Sequence, residues 1–119
     1  MLASVVICTK DRLKSLARCL NSLTHVKYPR YEVIVVDSSA SQKVRQKINQ
    51  LCRSKNFKHV YEARPGLSIA RNRGIKASKG DFIAFIDDDC VVDHMWLSNV
   101  AKNFADKRVG CVAGRVIYL

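Results

Sequence analysis

Apolar residues in this chain alternate between two patterns: continuous β-branched runs that stop at polar residues, and leucines or valines recurring every three or four positions. The run Ala3 to Thr9 (ASVVICT) ends on Lys10-Asp11-Arg12, as a buried strand ends in a loop. Leu13, Leu16, Leu20 and Leu23 then form one apolar stripe on a helix over 12–23, with Asp11 placed to cap it. Tyr28-Pro29 interrupts the chain before EVIVVD, a second apolar strand that stops at Asp37 and a Ser-rich turn. Val44, Ile48 and Leu51 predict a second helix over 42–53, and a third strand fits 57–61. Arg64-Pro65-Gly66 forces a loop ahead of a helix over 67–77. Lys79-Gly80 leads into FIAFI at 82–86, a fourth buried strand that runs directly into Asp87, Asp88 and Asp89. Met95, Trp96, Val100 and Phe104 predict another helix, with Asp93 as its N-cap, and VGCVAGRVIYL resumes strand character up to the last residue.

Apolar strands alternating with amphipathic helices imply the α/β class: a mostly parallel sheet with helices on both faces. At 119 residues, 1–119 is expected to be a single domain. A chain that stops inside an apolar strand, with no polar tail, predicts the N-terminal fragment of a longer protein.

Composition narrows the picture. With 48% hydrophobic and 26% charged residues the chain reads as an ordinary globular one, not a disordered one. No apolar run approaches the roughly 18 to 20 residues of a membrane-spanning helix, and the N-terminus lacks the basic segment of a secretory signal. The five cysteines form an odd set without a CxxC pair. They read as small buried apolar residues in a reducing, cytoplasmic setting rather than as disulfides or a zinc knuckle. The net charge of +11 leaves three readings: a polyanion partner, peripheral contact with the acidic inner face of a membrane, or an acidic remainder of the protein elsewhere. Lys and Arg are spread through every segment instead of forming a stripe with interleaved aromatics, which argues against nucleic acid.

Candidate chemistry gathers where the strands end. In open α/β sheets the ligand crevice lies outside the carboxyl ends of the strands, and Thr9 with Asp11, Asp37, and Asp87 to Asp89 all stand there. Three adjacent carboxylates repel one another unless a cation neutralises them. In an extended segment Asp87 and Asp89 point the same way while Asp88 faces the other. Such hard oxygen ligands suit Mg²⁺ or Mn²⁺, which fill their remaining positions with water and phosphate oxygens. No GxGxxG follows any strand and the first loop, CTKDR, lacks glycine, so neither a dinucleotide oxidoreductase nor a nucleotidyltransferase fits.

In order along the chain, SVVICTKDR, EVIVVDSSA, RPGLSIARNRGIKASKGDFIAFIDDDC and VGCVAGRV resemble the family 2 nucleotide-sugar glycosyltransferases, which have the GT-A fold. The stretch from Gly66 to Asp89 carries most of the specificity. The resemblance implies a divalent-cation-dependent donor-binding domain that transfers a sugar from a nucleoside-diphosphate sugar, a UDP-sugar being favoured, to a hydroxyl of a sugar, polysaccharide or lipid-linked acceptor, with inversion. It places Thr9 on the nucleoside pocket, Asp37 on the base or ribose, Arg71 near the nucleotide, Asp87 toward the ribose and metal, Asp89 on the metal, and Asp88 beside one or the other. Ser38-Ser39-Ala40 departs from the family's usual Gly-Ser or Asn-Gly turn. The acceptor-side base is expected beyond Leu119, leaving the catalytic residue unassigned and Asp93 and His94 outside the chemistry. The alternative is a non-catalytic nucleotide- and Mg²⁺-binding interaction module.

Overall fold

The computed structural model describes residues 1–117. Eight elements follow one another: β1 (Ala3–Thr9), α1 (Leu13–Leu23), β2 (Tyr31–Asp37), α2 (Gln42–Ser54), β3 (Lys58–Tyr61), α3 (Leu67–Ala77), β4 (Phe82–Asp87) and α4 (Trp96–Asn103). The four strands make one parallel sheet in the order β3-β2-β1-β4. The order reverses direction beside β1, which is where an open α/β sheet opens a crevice.

Strand alternation divides the core in two. Ala3, Val5, Ile7, Val33, Val35, Phe82 and Ala84 face the side covered by Leu16, Cys19, Leu20 and Leu23 of α1, Ile48 and Cys52 of α2, and Leu97 of α4. Val6, Ile34 and Val36 face the other side, where Ala70 of α3 packs on them. Both faces of β1 and β2 are therefore buried, which explains their unbroken apolar sequence. α3 reaches the sheet through a groove of small residues. A Cβ on Gly74 would stand 2.4 Å from Val6 Cγ1 and 3.3 Å from Val36 Cγ2, so the close approach depends on glycine there. Gly66, just ahead of α3, has φ +117°, a conformation L side chains rarely adopt.

At the end of the sheet remote from the carboxyl termini, Glu32 joins three segments. It accepts from Ser4 Oγ at 2.6 Å, from the Lys79 N–H at 2.6 Å and from Lys58 Nζ at 2.8 Å. Burial alone would raise its pKa, and these three donors outweigh burial and hold it below the ordinary carboxylate value.

Three expectations are corrected. Residues 109–117 form neither strand nor helix, and 118 and 119 lie outside the described residues. A strand needs a hydrogen-bonded neighbour as well as β-branched residues, and among the described residues none pairs with this segment. Asp11 is not the cap of α1. That position belongs to Arg12, and Asp11 has a left-handed φ of 52°, incompatible with an extended capping residue. The cysteines are not uniformly buried: Cys19 and Cys52 are, Cys8 and Cys90 are half-buried, and Cys111 is exposed. No helix of the described residues is long and apolar enough to cross a membrane.

Candidate functional site

A cleft of about 590 Å³ opens at the carboxyl ends of the strands, within the range of small-molecule sites. Its walls come from the β1–α1 loop (Thr9, Lys10, Arg12), the β2–α2 loop (Ser38, Ala40), the β3–α3 connection (Tyr61, Ala63, Pro65, Gly66) and the end of β4 (Asp87, Asp88, Asp89). Parallel pairing brings these together, since Thr9 lies opposite Asp37 and Cys8 opposite Asp87 in register.

The aspartate run is a turn, closed by the Cys90 N–H donating to the Asp87 carbonyl at 3.1 Å. The turn, not strand alternation, sends the side chains apart. Asp88 points inward, is 5% exposed, and accepts from Thr9 Oγ1 at 2.9 Å. Arg12 Nη1 lies 3.2 Å from Asp88 and its Nη2 3.5 Å from Asp89, so one guanidinium supplies part of the neutralisation the run requires. Oxygens of Asp87 and Asp89 and the sulfur of Cys90 all lie within 4.8 Å of one another. Burial, reinforced by the carboxylates, pushes the Cys90 thiol up despite a compensating backbone hydrogen bond. Mg²⁺ and Mn²⁺ prefer hard oxygen donors to sulfur, so the fitting donor set is the two exposed carboxylates. Two hard oxygens with open positions suit Mg²⁺ or Mn²⁺ shared with phosphate oxygens.

Asp37 sits beneath the cleft, not on its wall. It is fully buried, pairs through Oδ2 with His59 Nε2 at 2.8 Å and accepts from the Ser39 N–H at 2.9 Å. Burial would raise its pKa, but these hydrogen bonds prevail and lower it. Ser39 passes the constraint on: its Oγ accepts from the Asp11 N–H at 2.8 Å, and Asp11 Oδ2 accepts from the Ala40 N–H at 3.4 Å. Asp11 thus ties the first two loops together and does not line the cleft. Ser38-Ser39-Ala40 does the work of a tight turn through side-chain bonds. Arg71 also stays off the wall, exposed on α3 with its guanidinium carbon 6.0 Å from the Phe85 ring centroid. Asp93 takes part in a turn ahead of α4, accepting from the Met95 N–H at 2.9 Å, whereas the cap position itself is Met95.

Of the residues expected from sequence, the structure gathers Thr9, Asp87, Asp88 and Asp89 on the cleft and leaves Asp11, Asp37 and Arg71 behind or beside it. Sequence reasoning passed over Arg12, His59, Ser39 and Tyr61. Arg12 had a visible signal, a cation directly after the first strand. His59 and Tyr61 had only their places in the third strand, Tyr61 at its end.

Known proteins share this fold. The chain is 30% identical over 117 residues to the glycosyltransferase AglE of Haloferax volcanii, covering 95% of this chain and 38% of that protein. TarS residues 1–349 from S. aureus, solved in complex with UDP, superposes with a TM-score of 0.75 at 28% identity, over 100% of this chain and 38% of that one. The mannosyltransferase PcManGT of Pyrobaculum calidifontis, solved with GDP-Man and Mn²⁺, shares the fold with a TM-score of 0.83 at 24% identity, over 91% of this chain and 33% of that one. The chain therefore spans well under half the length of these relatives, and its sheet and helices are those of the GT-A glycosyltransferases. The family model described as glycosyl transferase family 2 matches residues 4–118, nearly the whole chain, and this protein belongs to that family.

Proposed function

We propose that the cleft is the donor site of a sugar transferase, holding a nucleoside-diphosphate sugar with its diphosphate against Asp87 and Asp89. The observation that carries this reading is the pair of exposed carboxylates converging at the mouth of a cleft on the carboxyl ends of parallel strands. The UDP held by the TarS relative supports a uridine nucleotide as donor.

Asp87 and Asp89 would hold Mg²⁺ or Mn²⁺, which when bound offsets the charge that develops on the departing nucleoside diphosphate. Arg12 and Lys10 stand on the same wall and add fixed positive charge beside the phosphates. Asp88 holds Arg12 and Thr9 in place from the inside, so the cationic side of the cleft is set before a ligand arrives. In the intact protein, transfer to an acceptor hydroxyl proceeds by one inverting displacement, with the accepting base supplied outside residues 1–119. Thr9, Asp87 and Asp88 contact the nucleotide or hold the groups that do, whereas Asp11 and Asp37 serve it by fixing the loops. Arg71, on α3, adds positive charge near Cys8 of the cleft wall. The acceptor is a sugar, polysaccharide or lipid-linked hydroxyl, and the odd set of cysteines without CxxC spacing supports a cytoplasmic setting.

Calorimetric titration with UDP, GDP, TDP and CDP, each with and without Mn²⁺, tests the reading. UDP is expected to bind best and to need the ion. Losing even an outer partner of a metal site weakens binding about 10-fold or more, so Asp89→Ala should reduce Mn²⁺-dependent affinity by at least that factor. Binding that ignores both the ion and the substitution would sink the assignment.

A further inference from the structure

The cleft has two chemically different ends. On the β4 side stand the carboxylates with Arg12, and on the β3 side the wall is Tyr61, Ala63, Pro65, Leu67 and Ala70. β3 and β4 are the outer strands of the sheet. Their ends stand three strand spacings apart, about 14 Å at roughly 4.8 Å each, which is the length scale of a nucleoside diphosphate.

Tyr61 closes β3, remains 44% exposed, and is not loose. The guanidinium carbon of Arg45 lies 4.4 Å from its ring centroid, and Arg45 Nη1 donates to the Ser39 carbonyl at 3.3 Å. The ring is therefore braced by a cation that is itself anchored to the loop bordering the cleft, a geometry that restricts the side chain before any ligand arrives. Glu62, next to the ring in sequence, is buried and pairs with Arg64 Nε at 2.6 Å. Asp37, which family resemblance would aim at the base or ribose, is fully buried and occupied by His59 and Ser39.

Resting on the donor-site reading above, we propose that the Tyr61 ring, braced by Arg45, is the surface on which the donor's nucleobase stacks. Asp37 is then a positioning residue that holds Ser39, and through it Arg45, beneath the ring. Stacking accepts any base, because every base has a π-face, so discrimination between bases comes from the polar loop groups around the ring and not from the ring itself.

The test compares UDP with inorganic pyrophosphate, a probe without a base, each titrated with Mn²⁺ into the chain and into Tyr61→Ala and Tyr61→Phe. Tyr61→Ala is expected to weaken UDP about 10-fold or more, the usual consequence of removing a stacking platform, and to leave pyrophosphate unchanged. Tyr61→Phe should keep UDP affinity, since the ring and not the hydroxyl makes the contact. Thermal unfolding of each variant checks that the fold is intact. UDP binding unchanged in Tyr61→Ala, or UDP and pyrophosphate weakened equally, overturns the stacking role while the donor site stands. If the unsubstituted chain binds neither probe, the donor-site reading falls and the stacking role with it.

Discussion

Asp37 shows how one side chain can matter to a site it never touches. Its carboxylate is buried, yet it fixes Ser39, and Ser39 holds Asp11 in the neighbouring loop. The lowered pKa makes this a pH-dependent contribution to stability. A carboxyl with a depressed folded pKa stabilises fully above its ordinary value of 3.8 and loses that contribution as pH falls through the lowered one. Asp37→Asn should therefore lower the urea midpoint at pH 6, and the gap to the unsubstituted chain should narrow as pH drops below 3.8. A gap that stays constant or widens in acid would show that hydrogen bonding to Asp37 carries no linkage. Sequence disclosed the residues whose partners are adjacent, as in the aspartate run, because repulsion between neighbours is a local argument. It did not disclose Thr9 with Asp88, 79 residues apart, or Asp37 with His59, 22 residues apart, since those bonds exist only once the strands are in register.

Among the elements, legibility followed burial. β1, β2, α1 and α2 fell within a residue or so of their expected bounds because each has a face that must be buried, and burial imposes the periodicity by which it is read. The segment 109–117 has strand composition but no paired neighbour, and composition alone does not make a strand. α3 is the reverse case: it buries little beyond Ala70 and Gly74, so its fit depends on shape instead of on an apolar stripe. Gly74→Ala is accordingly a sharp test of the packing. Alanine is the better helix former, and on an exposed face the change would stabilise by up to about 1 kcal/mol. Here the added methyl meets Val6 Cγ1 at 2.4 Å and Val36 Cγ2 at 3.3 Å, both rooted in the central strands. The overpacking should win and destabilise by about 1–3 kcal/mol in urea denaturation. Stabilisation would mean that α3 rides higher on the sheet than described.

On the scale of the whole molecule the dominant fact is charge. With 21 basic and 10 acidic residues the chain carries a net +11, and its ion pairs, such as Lys58 with Glu32 and Arg108 with Asp106, involve largely exposed cations. Exposed pairs contribute little individually, whereas unbalanced positive charge repels itself throughout the fold. Weakening the first lowers stability and weakening the second raises it, which makes them separable. Screening weakens ion pairs and repulsion alike, with a Debye length falling from about 10 Å near 0.1 M to about 3 Å at 1 M. If repulsion dominates, the urea midpoint rises as NaCl increases over that range, and the rise levels off once the screening length is shorter than the spacing of like charges. A midpoint that falls with NaCl would mean that attractive pairs outweigh the net charge. The same titration bears on the cleft, because Arg12 and Lys10 belong to that field: the on-rate for a diphosphate should fall with added salt, while the Asp88–Thr9 hydrogen bond, 5% exposed at its acid, should hold the wall in place throughout.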